Sequence, residues 1–222
     1  MNEKVITFQN KFAQIAGECQ RFSYMTRAKE IQAEAKNTLS YLYDEAHNLK
    51  LKLIEEKDED AANAILSFEQ IIAALRDELD MWISLKDDDP GTAWNFLVSA
   101  GVSAHTALKV HPVGYHLTDY IKHLYVLEHT LFPPQVFFSV GIIVEEAKCS
   151  ICGQEYGECD HIKGRAYMGE ECVRNIKRAR MVESSVVERP ANKRCRIIAI
   201  SDEGVMRDFL TWRVVVEDGE ET

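Results

Sequence analysis

Four of the six cysteines fall in one short stretch, at Cys149, Cys152, Cys159 and Cys172, with His161 among them. Two residues separate Cys149 from Cys152, a spacing that lets both thiolates meet one ion. Zinc accepts soft sulfur and imidazole nitrogen in a tetrahedral shell. Gly153 follows directly, where a tight knuckle needs a backbone conformation most residues avoid. Gly157, Gly164 and Gly169 add further turns, so segment 149–172 is loop-rich with little apolar core of its own. Such a segment needs a bound metal to hold its shape, and zinc is the expected cofactor. Five candidates compete for four places. The first set is Cys149, Cys152, Cys159 and His161. The rival set keeps Cys149 and Cys152, uses one of Cys159 or His161, and adds Cys172. Either set is full, leaves no position for water, and makes the zinc structural rather than catalytic.

The chain before this segment reads as helix. Apolar positions run Ile31, Ala35, Leu39, Leu42, Ala46, Leu49, Leu53, and then Ile65, Phe68, Ile72, Leu75, Leu79, Trp82. Steps of three and four trace one face of a helix. The charged run Glu55 to Asp60 between the stripes predicts a tight turn and an antiparallel helical hairpin. Residues 3–22 add a shorter helix. In Asp87-Asp88-Asp89-Pro90-Gly91 one helix stops and another starts, with Asp89 as cap and Pro90 at the first position. Residues 92–110 and 117–131 read as two more helices, parted by His111-Pro112-Val113-Gly114.

Phe132-Pro133-Pro134 ends the helical part. Gln135 to Val144, Met181 to Val187 and Arg196 to Ser201 are rich in β-formers and read as strands. Met206 to Val216 reads as a short helix and a last strand. The expected fold is α+β: a helical domain over 1–131, then a small β domain over 132–222 carrying the zinc segment.

A hydrophobic share of 46% suffices for a core, and a net charge of −10 argues against general nucleic-acid binding. Lys177, Arg178 and Arg180, with Arg174 just before, form a local basic patch that reads as a solvated face. Met1 to Ile15 has no apolar run of signal length, and no segment reaches the roughly 18 apolar residues of a membrane span. A cytoplasmic location is expected, where reduced cysteines ligate metal instead of forming disulfides. Cys19 and Cys195 read as ordinary buried thiols. The helical hairpin is expected to serve packing and a protein partner.

Two motifs flank the zinc segment. Phe138-Ser139-Val140-Gly141 with following apolar residues resembles the strand that carries the nucleophilic serine in the prohead (capsid maturation) serine proteases of tailed phages. Val182-Glu183-Ser184-Ser185-Val186-Val187-Glu188-Arg189-Pro190-Ala191-Asn192 resembles that family's Glu-x-Ser-x-Val-x-x-Pro-Ala-Asn strand and turn. The resemblance covers residues 136 to about 200. It implies a nucleophile at Ser139 and an orienting carboxylate at Glu183, with His111 as the candidate base. The family places its histidine on an earlier strand, whereas the corresponding region here reads as helix. The functional expectation is therefore a zinc-stabilised, non-catalytic interaction subunit related to phages or mobile elements, with a prohead-type serine endopeptidase as the alternative. Cys149-x-x-Cys152 ahead of Asp160-His161, with Asn175 beyond, also suggests a zinc nuclease of the His-Asn-His kind, but a second Cys-x-x-Cys pair is missing.

Overall fold

The computed structural model describes residues 2–215. Among them the helices are α1 (Glu3–Gln20), α2 (Lys29–Glu55), α3 (Glu59–Lys86), α4 (Pro90–Val110) and α5 (Thr118–Leu131), with a 3-10 turn at Pro112–Leu117 before α5. The strands are β1 (Phe137–Cys149), β2 (Ala166–Tyr167), β3 (Glu170–Glu171), β4 (Arg174–Val187), β5 (Ala199–Asp202) and β6 (Val205–Asp208). This is the α+β arrangement expected.

The two apolar stripes form the antiparallel pair α2–α3. Asp58 caps α3 by accepting from Ala61 N at 3.1 Å, and Lys57 turns the chain at φ 58°. Every residue of the second stripe is buried. In the first, Ile31 is 40% exposed, and Gln32 faces the core instead. Its amide donates to the carbonyls of Phe22 at 2.8 Å and Tyr24 at 3.0 Å, closing the α1–α2 connection with polar bonds that a hydrophobic stripe does not reveal. Phe8 and Phe12 of α1 pack against Phe68 of α3. Asp89 caps α4 through Thr92 N at 2.9 Å, with Pro90 in the first turn.

A second core gathers around Trp94, which meets Phe132 and Phe137 at ring separations of 5.3 and 6.1 Å. The helix-to-strand change at Pro133-Pro134 is thus flanked by two side chains packed on one tryptophan. Trp94 Nε1 also donates to Lys193 O at 3.0 Å.

β1 and β4 form an antiparallel two-stranded ribbon with three register shifts. β1 runs past Val144 to the first ligand candidate, and β4 begins at Arg174, because each supplies the other's backbone hydrogen bonds where side-chain pattern alone reads as loop. Successive side chains on a strand alternate faces, and Phe137 and Val187 point into the second core while Phe138, Val140 and Val186 point out. From Arg174 to Val186 every β4 residue is exposed. Two expectations need correction. Met206–Asp208 lies in strand β6 paired with β5 instead of a short helix, because the turn Glu203-Gly204 returns the chain on itself. Val216 lies outside the described residues. Cys195 is exposed, although Cys19 is buried.

Candidate metal centre

The metal segment closes the far end of the ribbon. β1 ends on Cys149, and β4 begins two residues after Cys172. Gly153 N donates back to Cys149 O at 2.9 Å, forming the knuckle, with Gly153 at φ 72°. Tyr156 N donates to Ala147 O at 2.7 Å and returns the chain along the ribbon. Ser150 joins both ends of the segment: its Oγ accepts from Val173 N at 2.9 Å, and its N donates to Val173 O at 3.1 Å.

Cys149, Cys152, Cys159 and His161 bring their donor atoms within 4.8 Å of one another. This cluster of three sulfurs and one imidazole is compatible with a tetrahedral zinc. Nδ1 of His161 is buried and has no hydrogen-bond partner, as expected of a lone pair reserved for a cation. The ring of His161 meets Tyr167 edge-on at 4.6 Å. Tyr167 and Tyr156 hydroxyls accept from Ile162 N and Lys163 N, at 2.9 and 3.2 Å, and so brace the turn behind the histidine.

The thiols perturb one another. Burial works against ionisation of Cys149. The backbone N–H groups of Cys152 and Ile151, with the thiols of Cys152 and Cys172, outweigh it and bring Cys149 down to about 6. Burial, reinforced by the neighbouring sulfurs, pushes Cys172 up to about 11. One thiolate therefore forms readily, while Cys159 and Cys172 resist. A divalent cation removes that conflict, since each coordinated thiol is deprotonated by the metal.

Residues 164–172 form a small tongue, with β2 and β3 joined by Met168-Gly169. Its backbone docks on the start of α3. Gly169 N donates to Asn63 Oδ1 at 2.8 Å, Asn63 Nδ2 donates to Ala166 O at 3.3 Å, and Met168 N donates to Glu59 Oε1 at 3.3 Å. Gly169 sits at φ 78°, and a Cβ there would lie 3.1 Å from the Lys50 stem and 3.2 Å from Ile54. Asn63 belongs to no apolar stripe and no recognised motif, so nothing in the sequence marks it as a contact to the metal segment.

The three residues named by the protease resemblance fall as follows. Ser139 pairs across the ribbon with Ser185, and Gly141 with Glu183, which puts Ser139 and Glu183 on one face as diagonal neighbours. His111 lies elsewhere, at the end of α4 opposite the one that holds Trp94. Its Nδ1 accepts from Val113 N at 3.1 Å, capping the 3-10 turn, and its Nε2 stands 3.3 Å from Asp60 Oδ1. The structure brings Ser139 and Glu183 together and does not bring His111 to them.

The chain matches no protein-family model, no curated protein and no solved structure. The prohead-protease likeness therefore rests on its two sequence motifs. No helix among the described residues is long and apolar enough to cross a membrane.

Proposed function

We propose that this protein is a zinc-stabilised, non-catalytic interaction subunit related to tailed phages or mobile elements, which binds a protein partner. The observation that carries this reading is the outward face of the ribbon. Phe138, Val140 and Ile142 of β1 and Met181 and Val186 of β4 are between 43% and 65% exposed. Grouped apolar exposure of this kind marks interaction surfaces on soluble chains. The hairpin contributes a groove of about 700 Å³ between α1 and α2, lined by Phe8, Tyr41 and Leu49 among charged residues. Apart from Ile31, its two apolar stripes are used in the protein's own core, which leaves Ile31, Tyr41 and Leu51 as exposed apolar contacts on α2. The zinc serves this role by fixing the ribbon's far end.

The protease alternative draws on the placement of Ser139 and Glu183 on one face. Serine is a weak nucleophile without an adjacent base, and His111 is engaged with Asp60 and Val113. A cytoplasmic location and the phage relation belong to the same proposal and are supported by the reduced thiols and by the two motifs. The test combines elemental analysis of purified protein with labelling by a serine-directed fluorophosphonate. About one zinc per chain and no labelled serine are expected. Labelling at Ser139 that disappears in Glu183→Gln would replace this reading with the endopeptidase.

A further inference from the structure

Cys172 stands outside the compact four-donor cluster, yet its Sγ lies 3.8 Å from Cys149 Sγ, and the residue is wholly buried. A tetrahedral ion with bonds of about 2.3 Å to sulfur holds two thiolates about 3.8 Å apart. The backbone presents this sulfur firmly. Cys172 N donates to Arg165 O and Gly164 N donates to Cys172 O, both at 2.8 Å, and the next residue is tied to Ser150 beside Cys149. Cys159 and His161, by contrast, share one short turn with only Asp160 between them, and both are half-buried.

We propose that Cys172 is a permanent metal ligand alongside Cys149 and Cys152, and that Cys159 and His161 share the one remaining place. This rests on the metal-binding reading above and specifies its coordination shell. It also changes what the metal does. A shell of Cys149, Cys152, Cys159 and His161 closes a loop on one strand only. A shell that includes Cys172 joins the end of β1, the start of β4 and the tongue that docks on Asn63. Metal loading and tongue docking then become one event.

The experiment titrates cobalt(II) into metal-free full-length protein and into Cys172→Ser, Cys159→Ser, His161→Ala and the Cys159→Ser/His161→Ala double variant. Hydrogen exchange of the tongue amides is followed in parallel. The expected result is that Cys172→Ser weakens cobalt binding by about a hundredfold or more and releases the tongue amides. Each single variant at Cys159 or His161 weakens it by about tenfold or less, and the double variant falls to the level of Cys172→Ser. X-ray absorption of zinc-loaded His161→Ala gives an independent count should Cys172→Ser fail to fold. Four sulfurs support the proposal, and three overturn it. Wild-type cobalt affinity in Cys172→Ser also overturns it, as does loss of binding in either single variant at the shared place. Absence of metal uptake by the wild type would instead defeat the metal-binding reading itself.

Discussion

His123 Nε2 stands 3.1 Å from Glu78 Oε1, and Glu78 is 1% exposed in the middle of α3. Tyr120, one turn earlier on α5, donates its hydroxyl to the other carboxylate oxygen at 2.9 Å. A buried carboxylate is thus held by two groups from one helix, as buried charges require. Removing one partner exposes the remainder to the full desolvation penalty. Tyr120→Phe is expected to cost about 1–3 kcal/mol, read by chemical denaturation.

The same region sets a pH dependence. The hydrogen bond to Glu78 holds His123 above its ordinary value despite partial burial. That contribution is complete below about pH 6.5 and fades as pH rises through the folded value. Asp77 is pushed up to about 6, chiefly by burial, with Arg76 partly offsetting it. The native state therefore holds this proton more tightly than the unfolded chain, and stability declines between about pH 4 and 6 as the proton leaves. Asp58, held low first by Asn2, and Asp89, held low by Thr92, act in the opposite sense but only at more acidic pH. The melting temperature is expected to fall from about pH 4.5 to pH 6, below the range where Cys149, brought down to about 6, contributes in the opposite sense. Asp77→Asn should flatten that slope and stabilise the protein at pH 7 by about 1–2 kcal/mol. A melting temperature that rises over this range would contradict the assignment.

Chelation of the metal should lower stability by several kcal/mol, on the order of the binding energy that couples to folding. Cys149→Ser should do the same, because Cys149 both ends β1 and lies within the donor cluster. Calorimetry before and after chelator treatment measures the loss, and readdition of zinc should reverse it for the wild type only.

Gly169→Ala is expected to loosen the tongue. The new Cβ meets Lys50 and Ile54 at a backbone angle that side chains disfavour, at a cost of about 1–2 kcal/mol. Asn63→Ala removes two hydrogen bonds at the same contact. Both variants should show faster amide exchange at 164–172 with unchanged helix content.

Gly114→Ala and Gly101→Ala make a controlled pair. A Cβ on Gly114 would lie 2.3 Å from the Ala107 carbonyl oxygen, whereas one on Gly101 meets nothing within 4 Å. The first should destabilise by about 3 kcal/mol or more because backbone must shift. The second should stabilise by about 0.5–1 kcal/mol by favouring helix. Thermal melts of the two variants side by side decide the matter.

The stripe from Ile65 to Trp82 is legible in the sequence because α3 buries it almost wholly, so periodicity and burial coincide. The stripe on α2 is legible except at its start, where Gln32 is buried for its hydrogen bonds and hydrophobicity is silent. The ribbon is only half legible: β4 from Arg174 to Ala179 is charged, and its strand conformation comes from pairing with β1. At the metal centre, Cys149-x-x-Cys152 and the nearby Cys159 and His161 announce their cluster by spacing. The docking of the tongue on Asn63 is invisible, since it is made by main-chain groups that any sequence possesses. Where His111 sits relative to Ser139 depends on the lengths and packing of α4 and the ribbon, which no local motif encodes.

The outer edge of β4 carries no strand partner among the described residues. Unpaired N–H and C=O groups along such an edge are a template for strand addition from other molecules. Arg174, Lys177, Arg178 and Arg180 stand along this strand, and two such edges approaching each other bring like charges together. Among the described residues, Arg178 is the one member ion-paired to a carboxylate, Glu145 at 3.0 Å. The basic run thus acts as a guard against self-association, and it is one that salt can disarm. At about 1 M salt the Debye length falls to about 3 Å and exposed charges farther apart than that are largely screened, so molecules that stay apart in dilute buffer should begin to join edge to edge.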